Sequence, residues 1–289
     1  MEDIKYWIWL SRIENLGSVK IQRLLEKFNN PYGIWKANKD ELIQVNGISE
    51  ETANRILNFK YRKNLDKYEE YMRKNDIELI HIYSEYYPEK LKELYDKPIV
   101  LYIKGNKELL NTFSLAIIGC RDYSEYGLKV ANNISYGIAK KGIVTISGLA
   151  RGIDSIAHIG TLKAGGKTIA VIGSSIDNIY PKENIELANE IVKSGGLIIS
   201  EYIMGSKIMK MNFPARNRII SGLSNGVVVI EAKRKSGTMI TVDFALEQGK
   251  EVFAVPGNIT NTNSEGTNEL IKQGAKCITS VEDILEEYL

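Results

Sequence analysis

Between two apolar stretches, residues 197–200 and 226–231, the chain reads Phe213-Pro-Ala-Arg-Asn-Arg-Ile-Ile-Ser-Gly-Leu-Ser224. Arg216 and Arg218 flank Asn217, and the ring of Phe213 precedes them. A guanidinium fork matches phosphate oxygens, and an aromatic ring can stack on a base. The same run also reads as a helix start with a solvated charged end. Loops elsewhere bear on the choice. Gly119-Cys120-Arg121 and Ser147-Gly148-Leu-Ala-Arg151-Gly152 each follow a short apolar stretch. Glycine there lets backbone approach a phosphate and leaves N–H groups open to it.

Four chemistries compete at these loops. Dinucleotide binding needs a glycine where Arg121 stands, and a ribose-binding acid where the next strand ends in Ser147-Gly148. NAD and FAD are therefore not expected. Gly165-Gly166-Lys167-Thr168 resembles part of a P-loop, but the earlier glycine is misplaced and the segment enters a strand instead of opening a helix. Ser236-Gly237-Thr238 precedes an amphipathic helix and resembles the phosphate loop of the cytokinin-activating nucleotide hydrolases. The catalytic glutamate of those enzymes falls on Thr241, so the phosphate-holding turn is present without its acid. Asp154 is placed to cap the helix after the second glycine loop, with His158 one turn on to hydrogen-bond it. No nucleophile elbow accompanies them. Binding without catalysis is the reading that remains.

The elements that must position these loops alternate. Apolar segments at 115–118, 143–147, 168–172, 197–201, 227–231 and 251–255 read as strands, separated by helical stretches. That alternation predicts an α/β fold with a doubly wound, mostly parallel sheet. Ligands of such sheets lie at the carboxyl ends of the strands, where the glycines fall. Segments 77–83 and 99–103 read as two further strands, with His81 structural. Residues 1–66 read as a small all-helical domain, and 67–289 as the sheet domain. Within the first, Val45-Asn-Gly-Ile-Ser49 resembles a helix-hairpin-helix turn with Ser49 as N-cap. Such a turn can offer N–H groups to a DNA phosphate or serve helix packing alone. Residues 60–74 read as a solvated charged helix.

Composition limits the rest. A chain of 289 residues, 44% hydrophobic and 26% charged, can bury a sizeable core. No apolar stretch reaches membrane-spanning length, and Met1-Glu2-Asp3 does not begin a signal peptide. Cys120 and Cys277 form no disulfide or metal framework, which fits a cytoplasmic home. A net charge of +2 means that any nucleic-acid site is a local basic patch.

Taken in order, these motifs resemble one family. They run from Gly119-Cys-Arg121 through Ser147–Asp154, Tyr180-Pro-Lys-Glu-Asn184, Ser200-Glu201-Tyr, Phe213–Arg218, Lys235-Ser-Gly-Thr238 and Val255-Pro-Gly257 to Gly266-Thr-Asn-Glu-Leu-Ile271. The series is similar to DprA, the DNA-processing protein A or Smf family, over roughly residues 70 to 280. The resemblance implies a Rossmann-like domain that binds single-stranded DNA, forms a homodimer and helps load RecA during natural transformation. It implies no enzyme activity, cofactor or metal. It places a pocket arginine on Arg121, a lysine on Lys210 and a stacking ring on Phe213. N–H groups near Gly119, Gly148 and Gly152, the residues Ser147 and Asn217, and the turn Ser236-Gly237-Thr238 complete the expected contact set. Arg216 and Arg218 join it, or one of them holds the loop by a buried salt bridge. Lys207, Lys233 and Arg234 enlarge the patch or are merely solvated. Cys120 stands where the family has serine or threonine, and the C-terminal winged helix of many members is not expected within residues 1–289, which close on an acidic amphipathic helix. A nucleotide sensor or a phosphoribohydrolase-like protein is the alternative.

Overall fold

The computed structural model describes residues 4–59 and 65–288. Met1-Glu2-Asp3, residues 60–64 of the charged stretch, and Leu289 lie outside them. Five helices come first: α1 (Ile4–Ser11), α2 (Ser18–Phe28), α3 (Pro31–Lys36), α4 (Lys39–Ile43) and α5 (Glu50–Leu57). Side chains stop the orphan amides at several starts. Asn30 accepts from Gly33 N, Asn38 and Glu41 form a capping box, and Ser49 accepts from Thr52 N as expected. α6 (Leu65–Lys74) follows, with Leu65 and Met72 buried.

The strands are β1 (Glu78–His81), β2 (Val100–Gly105), β3 (Ser114–Ile118), β4 (Val144–Ser147), β5 (Thr168–Ile172), β6 (Leu197–Ser200), β7 (Gly226–Val229), β8 (Glu251–Ala254) and β9 (Lys276–Cys277). They form one sheet in the order β1-β2-β6-β5-β4-β3-β7-β8-β9. β1 and β2 pair antiparallel, as do β2 and β6, and every other pair is parallel. The fold is the doubly wound, Rossmann-like, mostly parallel sheet that the alternation predicts. The helices between strands are α7 (Glu89–Lys92), α8 (Glu125–Lys140), α9 (Ile153–Lys163), α10 (Ile185–Lys193), α11 (Asn212–Leu223), α12 (Gly237–Glu247) and α13 (Glu265–Lys272), with α14 (Val281–Leu285) last. The stretch 227–231 reads longer than β7 because its backbone pairing continues past Val229. Ile230 N donates to Ile118 O, and Cys120 N donates to Glu231 O.

Both faces of the sheet are covered, which explains the continuous apolar strands. All five residues of β3 are buried. Ala116 and Ile118 face Ile219 and Ile220 of α11 and Val242 and Ala245 of α12. Leu115 and Ile117 face Ala131, Ile134 and Ile138 of α8 and Ile156 and Ala157 of α9. The opening helices bury Trp7, Trp9, Leu24 and Leu25 in a core shared with Tyr102, Ala170, Ile172 and Ile198 of the sheet. Ser11 Oγ and the Tyr102 hydroxyl share a hydrogen bond of 2.8 Å across that junction. His81 stacks on Trp7 with ring centroids 4.4 Å apart and planes 3° from parallel, a packing role.

α8 and α9 lie against each other where Gly160 meets Ser135. A Cβ at Gly160 would collide with Ser135 Oγ and lie 3.1 Å from Asn132 O. Gly160→Val should therefore destabilise by about 1–3 kcal/mol through overpacking, more than its gain in helix propensity returns. A lower urea midpoint at unchanged slope would show it; an unchanged midpoint would refute the close packing.

Candidate functional site

The winding of the sheet places the site. From β3 the chain moves through β4, β5 and β6 in one direction, then returns to add β7 and β8 on the other side of β3. Loops leaving β3 and β7 therefore part, and a crevice opens at the carboxyl ends of these strands. A cleft of about 580 Å³ lies there. Its walls are Gly119, Arg121 and Asp122 after β3, Tyr180 after β5, Lys210 just before α11 and Phe213 in its first turn, and Lys233 and Ser236 before α12.

Three cations ring the cleft. Arg121, Lys210 and Lys233 are exposed. Among the described residues none of them forms an ion pair. The loop carrying Arg121 is held from below by Glu231, which is 1% exposed. Its carboxylate accepts from Ser124 N at 3.0 Å, from Ser124 Oγ and from Cys120 Sγ at 3.6 Å. Ser124 Oγ in turn accepts from Gly127 N and caps α8. Cys120 thus serves as a donor where a hydroxyl would, and also donates to Asp122 O at 3.4 Å. Burial, with the adjacent Glu231 charge, pushes its thiol up to about 12, so it stays protonated.

A fourth cation lies beneath the floor. Arg216 is 5% exposed yet reaches the cleft wall. Its Nη1 donates to Gly148 O at 2.8 Å and to Val171 O. Burial pushes its pKa down to about 10 against the pull of Asp154, so it remains a cation at neutral pH. The buried Asp154 carboxylate accepts from Gly148 N at 3.1 Å. Burial raises its pKa and the Arg216 charge opposes that rise. A Cβ on Gly148 would sit 2.6 Å from Asp154 Oδ2 and 2.7 Å from Arg216 Nη2, so only glycine fits beside both side chains.

The structure corrects two expectations here. Asp154 does not cap α9; the N-cap is Gly152, with no side-chain cap bond, and the acid turns inward to the Gly148 loop. His158 does not bond Asp154. Its Nδ1 shares a 2.7 Å hydrogen bond with Thr168 Oγ1. Burial, with the Arg216 charge, lowers its pKa to about 3.

An aromatic pair lines the cleft. Phe213 and Tyr180 have ring centroids 5.4 Å apart and planes tilted by 51°. Tyr180 is 40% exposed. Ser236, Gly237 and Thr238, at the opening of α12, also line the cleft, and Ser236 makes no side-chain cap bond to the first amides.

The cleft thus gathers Gly119, Arg121, Lys210, Phe213, Arg216, Asn217, Ser236, Gly237 and Thr238 from the expected set. Gly148 lines a smaller adjoining hollow with Arg151 and Tyr180. Three expected residues are not brought to the cleft. Ser147 Oγ is fully buried and donates to Ile117 O at 2.7 Å. Gly152, at φ +82°, packs against the carbonyls of Cys120 and Arg121, where no side chain fits. Arg218, 7% exposed, grips Glu201 with Nη1 at 2.6 Å and Nη2 at 2.7 Å, and Asp96 with Nε at 3.0 Å. It is the arginine of the buried salt bridge. Tyr180 was missed as a site residue, although the Tyr180-Pro181 pair after a glycine-ended strand signals it. Thr241 lines the cleft as well. The turn before α5 carries Glu50 and Glu51 in the first helical turn, which sets negative charge where a phosphate would sit and favours packing. Among the described residues no helix is long and apolar enough to cross a membrane. No group of three or more His, Cys, Asp or Glu side chains among them could hold a metal ion.

Comparison with known proteins agrees on a family. Residues 78–289 match the family described as DNA recombination-mediator protein A. Protein Smf of Escherichia coli K12 is 38% identical over 290 residues, which cover 99% of this chain and 75% of that protein. DNA processing protein DprA of Bacillus subtilis is 47% identical over 216 residues, 74% of this chain and 72% of that one. The X-ray structure of DNA processing protein A from Streptococcus pneumoniae superposes with a TM-score of 0.85 at 36% identity, covering 99% of each chain. DNA processing protein A from Helicobacter pylori, studied for its single-stranded DNA binding mode, gives 0.67 at 33% identity over 73% of this chain and 95% of its own.

Two outcomes test the assignments within the site. Arg218→Leu strips a largely buried carboxylate of its partner and should cost about 3 kcal/mol of stability. Oligonucleotide affinity of the folded variant should stay at the wild-type value, as read by titration below its unfolding temperature. His158 has a folded pKa near 3, below its ordinary 6.5. Its neutral form therefore contributes fully above pH 6.5, and that contribution is lost as pH falls toward 3. Between about pH 6 and pH 4, wild-type stability should drop more steeply than that of His158→Gln, by about 1.4 kcal/mol per pH unit. Parallel slopes in urea titrations would sink the assignment.

Proposed function

We propose, for a chain that belongs to the DNA recombination-mediator protein A family, that the cleft binds single-stranded DNA without reading its sequence. The observation that carries the reading is the set of exposed cations Arg121, Lys210 and Lys233, without ion pairs among the described residues, around an aromatic pair, with the buried Arg216 charge below them. Phosphates meet Arg121 and Lys210, and the open amides at Gly119 and Gly237 add neutral donors. A base rests on Phe213 and Tyr180, whose π-faces accept any base. Thr241 stands where a hydrolase of related loop chemistry needs an acid, so the site holds a strand and does not cut a glycosidic bond. The bound strand is handed to RecA by a homodimer of this chain, in DNA uptake or recombination, from a cytoplasmic location. Light scattering on the free protein and RecA filament assembly on a coated strand test those two steps.

The cleft itself is tested by fluorescence anisotropy of a labelled oligonucleotide across a salt series. Each single-strand phosphate contact carries a slope of about 0.7 in log K against log salt. Arg121→Ala with Lys210→Ala should weaken binding strongly and make the slope shallower by about 1.4. Phe213→Ala should cost about 1–3 kcal/mol and leave the slope unchanged. Absence of wild-type binding at low salt, with saturable binding of a mononucleotide, would favour nucleotide sensing instead.

A further inference from the structure

The loop leading into the cleft carries a patch that phosphate binding does not use. Ile203 and Met204 are buried at 6% and 4% exposure and anchor its first half. Ser206 N donates to Ile203 O, and Asp177 Oδ2 accepts from Gly205 N at 3.1 Å, so a fastened turn follows. After that turn the side chains reverse character. Ile208 is 37% exposed, Met209 50% and Met211 67%. The segment is not slack, because Asn212 N donates to Met209 O and Ala215 N to Met211 O as α11 begins. Three large apolar side chains are thus held outward by a loop fixed at both ends.

Exposed apolar clusters of this kind mark a contact surface. Two features here identify the occupant. Lys207 and Lys210 interleave with the apolar residues, and both are exposed. Lys210 also lines the cleft, and Phe213 lies just beyond it, so the patch continues the cleft's wall. A surface that alternates ammonium groups with apolar groups fits a partner that alternates phosphates with flat apolar faces. That partner is an unpaired strand with its bases open. Methionine and isoleucine are among the side chains that insert between bases, and methionine's polarisable thioether adapts to any of them.

We propose that Ile208, Met209 and Met211 form a second base-contact platform, on which the nucleotides leaving the cleft are unstacked and held. The proposal rests on the reading of the cleft as a strand site. The platform lengthens the footprint and favours single strands, whose bases are free, over duplex.

The test uses two strands of about twenty thymidines, one of them with abasic residues everywhere but about four central positions, a length within single-strand site sizes. Both keep their phosphates. The wild-type protein should bind the complete strand about tenfold tighter, a fraction of what aromatic stacking would give. The surface variant Ile208→Ser/Met209→Ser/Met211→Ser should bind both strands equally, at the wild-type affinity for the abasic-flanked one. A variant that keeps the wild-type preference would overturn the proposal. So would a variant that changes association state in light scattering while keeping that preference, since the patch would then belong to a second copy. Failure of wild-type protein to bind either strand at low salt would remove the cleft reading itself, and this inference with it.

Discussion

An arginine buried without a carboxylate in contact is costly, and Arg216 is such a residue. Leaving water is expensive for a cation, and the expense must be met by donors, acceptors or opposite charge nearby. Here two main-chain carbonyls, Gly148 O and Val171 O, and the field of Asp154 do so. Those carbonyls belong to the ends of two neighbouring strands. The arginine therefore ties β4, β5 and α11 together below the cleft. Gly148 must lack a side chain and Asp154 must turn inward for that knot to close. The same guanidinium also lines the cleft, so the knot that ties the strands lies directly beneath the site.

Two arginines separated by one residue thus serve opposite ends. Side chains two positions apart on a helix diverge by about 200°. Arg216 runs under the cleft, while Arg218 turns to Glu201 and Asp96 on the other side of α11. A guanidinium fork suits a carboxylate as well as a phosphate, so residue type alone could not separate the two roles. What separates them is long-range: Glu201 closes β6, and Asp96 lies in the connection after α7.

The same division explains what the sequence made legible. β5 coincides with its expected range because its apolar run ends on Gly173 and is buried along its length. The winding of the sheet followed from alternation, and with it the general place of the crevice. Ser49 declared its cap locally. Tyr180 and Phe213 were harder, because their pairing depends on how two loops converge across the sheet. Asp154 was misread for a related reason. An acid at the start of a helix has a local use as a cap, and here a tertiary one, the Gly148 amide, displaced it. Ser147 and Gly152 sit in the right loop, but only the packed backbone shows that they support its shape instead of facing the cleft.

The two edges of the sheet carry a consequence for solubility. β1 ends it with four residues, and β9 with two. Lys107 pairs with Glu78 beside the first, and Lys276 lies on the second, paired with Glu287. Short edges dressed with lysine offer an intruding strand little backbone to zip onto. Copies of the chain brought close together therefore find little open ladder through which to fuse.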